Sequence, residues 1–323
     1  MELVPKRRLE LFSGRSHPAL AREIAAHLGV ELGEANLREF ANGEVHCRYG
    51  SSVRGTDVFI IQTHCAPVND TILEQLIMID AAKRASAKRI TAVCPYYGYS
   101  RQDRKATGRE PITAKLVADM LQTAGADRVV SVDLHSGQIQ GFFDVPFDHL
   151  IAMPVLIEEL RHQGQEDLVV VAPDAGRVKV AERYSQQLNT DLALVHKRRP
   201  RGSANEVEAL QVVGEVEGRR CVLIDDMIDT AGTICAGAEL LADRGASEVW
   251  AMATHGVLSD PALERLEKSA VSKVVVTNTL PIPEHRMIDK LHVVSVAGLL
   301  ADAIDAVFED TSVSEIFGGD NLA

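Results

Sequence analysis

Short continuous apolar runs alternate along this chain with longer stretches of helical period. The runs DVFIIQ, RITAVCP, RVVSVDL, LVVVAPD, CVLIDD, EVWAMATH and KVVVTN are rich in Val, Ile and Ala and lack polar alternation. Strands apolar on both faces must be covered on both faces, the habit of parallel strands in α/β folds. Between them, TILEQLIMIDAAKRAS, ITAKLVADMLQTAG, GRVKVAERYSQQLN and TICAGAELLADRG repeat their apolar positions at about 3.6 residues, so each predicts an amphipathic helix. Alternating strands and helices predict the α/β class, with mostly parallel sheets flanked by helices.

An internal repeat divides this pattern. VRGTDVFIIQ begins at Val53 and VEGRRCVLID at Val216, an offset of 163 residues. SAKRITAVCPYYGYS and GASEVWAMATHGVLS share the same grammar, with Ala87 opposite Ala246 at an offset of 159. Two similar domains are expected, residues 1–150 and 151–323, with the C-terminal tail able to return to the first. The copies differ in the polar loop after the matching strand: THCAPVND in the first, DMIDTAGT in the second. Only the second keeps a carboxylate-rich turn.

Composition narrows the setting. The chain has 323 residues, 46% hydrophobic and 25% charged, enough for two ordinary cores. A net charge of −12 argues against nucleic acid or anionic lipid as a partner. Five cysteines, an odd number with no CxxC spacing, suggest a reducing compartment and no structural zinc. The opening MELVPKRRLELFSG has no apolar stretch of signal length, and no run of eighteen apolar residues occurs. A soluble cytoplasmic protein with no membrane association is expected.

Several strand-end motifs can carry chemistry. Asp225 and Asp226 end the run VLIDD, and Asp229, Thr230, Ala231, Gly232 and Thr233 lead into the next helix. Ligands of open α/β sheets bind beyond the carboxyl ends of strands. Small residues at a helix N-terminus let backbone N–H groups converge on an anion, and hydroxyls add donors. Carboxylates beside such a turn suit a sugar phosphate; an Asp or Thr N-cap is the plainer alternative. Asp133 and His135 follow another strand, and Asp174 precedes a glycine and a helix, positions from which an imidazole and a carboxylate can hold Mg²⁺; a histidine capping the next turn and an N-cap or Asx turn at Asp174 are the plainer alternatives. HKRRPRGSANE places four cations between Lys197 and Arg201 and then turns to Pro, Gly, Ser and Asn. It reads as a mobile basic loop able to close over phosphates. In the first half, Phe40 is placed to stack on a base, with Asn42 and Glu44 to bond its edge. Arg101 and Gln102 lie just past a strand, where a guanidinium can pair with phosphate. Neither a P-loop nor a kinase glycine-rich loop is present.

VLIDDMIDTAGT resembles the phosphoribosyl motif of type I phosphoribosyltransferases, some of which consume phosphoribosyl diphosphate, while a related enzyme makes it. FANGE, EQLIMIDAAKRASAKRITAVCPYYGYSRQDRK, GREPITAKLVADML, DLHSGQIQGFF, PDAGR, HKRRP and DDMIDTAGT together resemble, end to end, the ribose-phosphate diphosphokinase family. A plain phosphoribosyltransferase would lack the first half. The resemblance implies two phosphoribosyltransferase-like domains and transfer of the β,γ-diphosphoryl group of ATP to the C1 hydroxyl of ribose 5-phosphate, yielding phosphoribosyl diphosphate and AMP. It implies Lys197 and Arg199 as catalytic, and Phe40, Asn42, Gly43, Glu44, Arg101, Gln102 and Asp103 on ATP. It implies Arg199, Asp225, Asp226 and Asp229–Thr233 on ribose 5-phosphate, and His135 and Asp174 on Mg²⁺. A homohexamer built from dimers is implied, its ATP site borrowing residues from a neighbouring subunit. Phosphate activation and ADP inhibition are implied at Ser52, Arg54, Lys105, Arg109, Ser136, Asp148, Ser312, Ser314 and Phe317. KRRPRGSANE carries a proline and an extra arginine that some members lack, which bears on loop closure rather than chemistry. A catalytically silent regulatory member would carry changes in the catalytic loop; here His135, Asp174, Lys197, Arg199 and the acidic pair are all in place.

Overall fold

The structure, a computed structural model, describes residues 8–164, 166–198 and 209–317, with 197, 198, 209 and 210 described by backbone alone. It divides into two compact units. The first holds the described chain up to Ile151 with Thr279–Pro281 and the chain from Ser295. The second holds the described residues from Ala152 to Asn278 with Ile282–Val294.

The first unit contains β1 (Leu9–Ser13), α1 (Pro18–Leu28), β2 (Ala35–Glu39), β3 (Val45–Tyr49), β4 (Asp57–Ile61), α2 (Val68–Arg84), β5 (Arg89–Cys94), α3 (Thr113–Ala124), β6 (Arg128–Val132) and β7 (Phe147–Leu150). The second contains α4 (Met153–His162), β8 (Leu168–Ala172), α5 (Val178–Leu188), β9 (Asp191–Arg198), β10 (Ala209–Val213), β11 (Arg220–Ile228), α6 (Gly232–Asp243), β12 (Glu248–Gly256), α7 (Ala262–Lys268), β13 (Lys273–Thr277) and β14 (Leu291–Val294). The last helix, α8 (Ala297–Phe308), returns to the first unit.

The sheets share one plan. Five strands in the order β1-β4-β5-β6-β7 run parallel in the first unit. In the second, β8-β11-β12-β13-β14 repeat that order, all parallel, and β9 and β10 extend the edge, β9 parallel to β8 and β10 antiparallel to β9. β4 starts at Asp57 and β11 at Arg220, and β5 at Arg89 and β12 at Glu248, reproducing the offsets of 163 and 159 read from the sequence. The excursion between first and second core strands also recurs: the separate β2–β3 hairpin in one unit, β9–β10 in the other.

Burial explains the apolar runs. Every residue of β4 and of β8 is buried, so neither strand has a solvent face. The first core gathers Phe12, Val58, Ile60, Met78, Val117 and Leu121; the second gathers Val169, Val171, Leu223, Ile234, Leu241 and Val274. Cys94 at the end of β5 and Cys221 in β11 are buried, and all five thiols are unpaired with one another. Helix ends follow local chemistry: Pro18 opens α1, the His17 side chain accepts from the Leu20 N–H, and Gly29 closes the helix at φ 66°. Asn189 takes the left-handed conformation after α5.

Two polar ties hold the C-terminal segment in the first unit. Arg89 grips Asp57 with Nε at 2.9 Å and Nη2 at 2.7 Å and reaches Asp310 with Nη1 at 2.6 Å. Ser295 Oγ bonds Glu23 at 2.6 Å on α1. No described helix is long and apolar enough to cross a membrane.

One strand end differs from the reading of the sequence. β11 runs on to Ile228 because β12 is equally long, with Met227 opposite His255 and Ile228 opposite Gly256. Asp225 and Asp226 therefore lie within the last half of a strand, and the turn begins only at Asp229.

Candidate active site

The second unit assembles the acidic part of the site. Asp225 and Asp226 are consecutive strand residues, so their side chains leave opposite faces unless something draws them together. Arg177 does so: its Nε lies 2.9 Å from Asp225 Oδ1 and its Nη2 2.5 Å from Asp226 Oδ1. The Asp226 N–H also donates to Asp225 Oδ1 at 2.8 Å. All three side chains are largely removed from water. Burial raises the Asp225 pKa, the hydrogen bond and charge of Asp226 add to the rise, and Arg177 opposes it, leaving the group at about 8.

Arg177 is itself placed by Asp174. That carboxylate caps a 3-10 turn, Ala175–Arg177, with Oδ1 accepting from the Gly176 N–H at 2.8 Å and the Arg177 N–H at 3.2 Å. The sequence offers Asp174 both as a ligand and as a cap, and the structure shows the cap; Arg177 is not singled out by the sequence. The signal was present in PDAGR, but a sequence does not tell which way a long cation turns.

Beyond the strand, the chain enters α6 through a strained turn. Ala231 is a buried non-glycine residue at φ 60°, a left-handed conformation that ordinary side chains seldom adopt and that collects at ligand clamps. Arg265 on α7 steadies it by donating from Nη1 to the Thr230 carbonyl at 2.9 Å; nothing in the sequence singled out Arg265. α6 has no side-chain N-cap bond and no acidic residue in its first turn. Thr230, Gly232 and Thr233 around its start are exposed, and the first N–H groups of any helix have no partner within it. The residue at the N-cap position is Ala231, whose methyl side chain cannot cap the helix. A Cβ on Gly232 would meet only Arg265 Nη1, at an ordinary 3.5 Å. The fold alone does not demand glycine there.

The first unit holds the other candidates. Phe40, Asn42, Gly43 and Glu44 form the exposed tip of the β2–β3 hairpin. The Phe40 N–H donates to the Glu44 carbonyl at 2.9 Å, and the Gly43 N–H, at φ 89°, donates to the Phe40 carbonyl at 2.8 Å. Phe40 is 49% exposed, edge-on to His46 at 6.0 Å and under Arg38 at 5.7 Å, so its outer face is open to a stacking partner. Arg101, Gln102 and Asp103 follow β5 in a loop. Gln102 joins that loop to α3: its carbonyl accepts from the Ala114 N–H at 3.2 Å, and its Oε1 accepts from Thr113 Oγ1 at 2.6 Å. His135 is half-buried just after β6, two residues past Asp133 at φ 35°.

Backbone pairing places Lys197 opposite Leu210 in β9–β10. Its side chain, and all of Arg199, lie outside the described residues. So does the loop expected to close over phosphates.

The residues implied in regulation are spread over the first unit. Ser52 Oγ accepts from the Arg54 N–H at 3.5 Å, and Lys105 and Arg109 are exposed, Arg109 at φ 69°. Ser136 bonds Gln138, while Asp148 pairs with Arg128 at 2.5 Å. The Ser312 and Ser314 hydroxyls lie 2.7 Å apart in the segment ending at Phe317.

Asp174 offers an oxygen of the kind Mg²⁺ takes, whereas the imidazole of His135 is a softer donor. Among the described residues, no three or more His, Cys, Asp or Glu converge into a cage. Mg²⁺ is usually held through one or two protein groups, with phosphate oxygens and water completing its octahedron. Asp174 spends only Oδ1 on its cap.

Two parallel α/β units, one ending in an acid pair and an uncapped helix, define the phosphoribosyltransferase-like class. Residues 9–125 match the model described as the N-terminal domain of ribose phosphate pyrophosphokinase, and residues 197–318 match the phosphoribosyl synthetase-associated domain. The ribose-phosphate pyrophosphokinase of Bifidobacterium longum is 55% identical over 321 residues, 98% of this chain and 94% of its own. That of Streptomyces avermitilis is 54% identical, covering 97% of each chain. The crystal structure of phosphoribosylpyrophosphate synthetase from Mycobacterium smegmatis superposes with a TM-score of 0.89 at 53% identity, covering 94% of this chain and all of that one. The chain belongs to the ribose-phosphate pyrophosphokinase family.

The acid pair yields a titration prediction. A raised folded pKa means that the folded state keeps a proton which the unfolded chain loses near 3.8. The associated stability is present below that pH and is lost as pH rises through about 8. Carboxyl ¹³C NMR should show Asp225 titrating well above the ordinary aspartate range. Asp226→Asn should bring it down, and Arg177→Gln should push it higher. Titration near 3.8 in the unmodified protein would contradict the buried pair.

Proposed function

We propose that this chain transfers the β,γ-diphosphoryl group of ATP to the C1 hydroxyl of ribose 5-phosphate, giving 5-phosphoribosyl 1-diphosphate and AMP. The observation that carries the reading is the strained left-handed turn at Ala231 that leads into the N-terminus of α6, a few residues after the Arg177-held acids. In this reading Asp229–Thr233 receive the 5-phosphate on backbone N–H groups and hydroxyls. Asp225 and Asp226 accept from the ribose hydroxyls.

Phe40 stacks on the adenine, Asn42, Gly43 and Glu44 bond its edge, and Arg101, Gln102 and Asp103 serve the rest of the nucleotide. His135 and Asp174 would hold Mg²⁺, which on binding would neutralise charge on the triphosphate. The C1 oxygen bonds to the β-phosphorus as the bond from that phosphorus to the bridging α,β-oxygen breaks. AMP leaves with the bridging oxygen, and the hydroxyl proton passes to water. Positioning and charge dominate phosphoryl transfer, and Lys197 and Arg199 supply the cationic side of that balance. A cytoplasmic homohexamer of dimers, with the regulatory residues at a subunit interface, completes the proposal.

Two experiments test it. Asp229→Ala and Gly232→Val should weaken ribose 5-phosphate binding by calorimetry and leave ATP binding nearly intact. Equal loss of both ligands would mean that the pocket is misassigned. Lys197→Ala should lower kcat by about 10²- to 10⁴-fold, the usual scale for one electrostatic stabiliser, with little change in KM. A defect confined to KM would make the lysine a binding residue only.

A further inference from the structure

The first unit repeats the strand–turn–helix that carries the acid turn in the second, yet its turn holds THCAPVND. There the place beyond β4 is filled from within. His64 is fully buried, and both ring nitrogens are engaged. Nε2 lies 2.8 Å from Gln75 Oε1 on α2, and Nδ1 accepts from the Gly98 N–H at 2.9 Å. Those partners fix the tautomer, because an acceptor at Nδ1 leaves the proton on Nε2, where it is donated to the glutamine. Gln75 is in turn oriented by Cys94 Sγ, 3.3 Å from the same oxygen, and by its own Nε2 donating to the Ile60 carbonyl at 3.3 Å. Burial lowers the imidazole pKa to about 4, so Nδ1 remains an acceptor at neutral pH.

What this network holds is the start of the loop bearing Arg101–Asp103. The His64 N–H donates to the Tyr96 carbonyl at 3.1 Å, and its ring takes the Gly98 N–H two residues on. A Cβ on Gly98 would lie 2.8 Å from His64 Cβ, so the backbone and the histidine approach as closely as glycine permits. Tyr99 then takes φ 62°, and the Gln102 N–H donates to the Tyr99 carbonyl at 2.9 Å. The loop is thus pinned at Gly98 by the histidine and at Gln102 by α3, with a left-handed residue between.

We propose that His64 is a positioning residue for the nucleotide loop, using the strand-end space that the second unit gives to its acceptor turn to fix Gly98 and hence Arg101–Asp103. This rests on the reading of that loop as ATP-binding. Displacing a phosphate-facing guanidinium by about 1 Å can cost on the order of 10²-fold, so a lost Gly98 bond should be visible in kinetics.

The test uses the full-length enzyme with KM measured separately for ATP and ribose 5-phosphate. Asn at position 64 keeps an acceptor near the place of Nδ1, whereas Gln reaches towards Gln75 and offers none to Gly98. His64→Gln should raise KM for ATP about tenfold or more and leave KM for ribose 5-phosphate within about twofold; His64→Asn should stay within about threefold of the parent for both. Melting temperature is recorded for each, and amide exchange at Gly98 should speed up in His64→Gln only. Unchanged KM for ATP in His64→Gln, or a parallel rise for both substrates, overturns the proposal. Arg101→Ala separates the two layers. If it raises KM for ATP while His64→Gln does not, the positioning role alone fails. If Arg101→Ala leaves KM for ATP unchanged, the nucleotide reading fails and the proposal with it.

Discussion

Consecutive aspartates buried at the end of a parallel strand repel each other. Ionised together, two unit charges about 4 Å apart would repel by about 4 kcal/mol at an effective dielectric of 20, and burial adds a desolvation cost for each, which is why Asp225 keeps a proton up to about pH 8. The Arg177 guanidinium is the counterweight, one planar cation in contact with both carboxylates. Its place depends on the Asp174 cap, the cap depends on the end of β8, and β8 lies beside β11 in the sheet. Each functional group of the second unit is therefore referred to two neighbouring parallel strands. Without that clamp Asp225 would hold its proton more tightly.

The same sheet order serves different ends in the two units. In the second, the β11–α6 turn is strained at Ala231, and no side chain caps α6 from the N-cap position. In the first, the β4–α2 turn is closed by His64, Gln75 and Thr63, whose Oγ1 donates to the Thr279 carbonyl at 2.6 Å. Polar groups at a strand end can face a ligand or one another. The buried network of the first unit took the second course, and its loops and hairpin tip reach outward instead.

Much of this was legible in the sequence for a physical reason: two-sided burial writes itself as unbroken apolar runs. DVFIIQ and LVVVAPD became fully buried strands, and the repeat offsets reappeared as strand starts at Asp57 and Arg220. The apolar runs do not mark β1, β2, β3, β7, β9, β10 or β14, which are short or of mixed polarity; β2 and β3 are at most half-buried. The acid turn was legible as a motif, but its geometry was not. Where β11 ends depends on the length of its partner β12, and Arg177, Arg265 and His64 matter through side-chain direction and long-range contact. Composition and spacing carry neither.

Transfer of a diphosphoryl group from a nucleotide to a sugar phosphate on this one chain leaves a direct chemical trace. The most direct measurement is ³¹P NMR of the purified protein with ATP, Mg²⁺ and ribose 5-phosphate, and a parallel sample without the sugar. The account predicts AMP and phosphoribosyl diphosphate appearing in equal amounts, with no AMP when ribose 5-phosphate is omitted. Conversion of ATP to ADP, AMP formation without the sugar, or unchanged ATP in the complete mixture would contradict it.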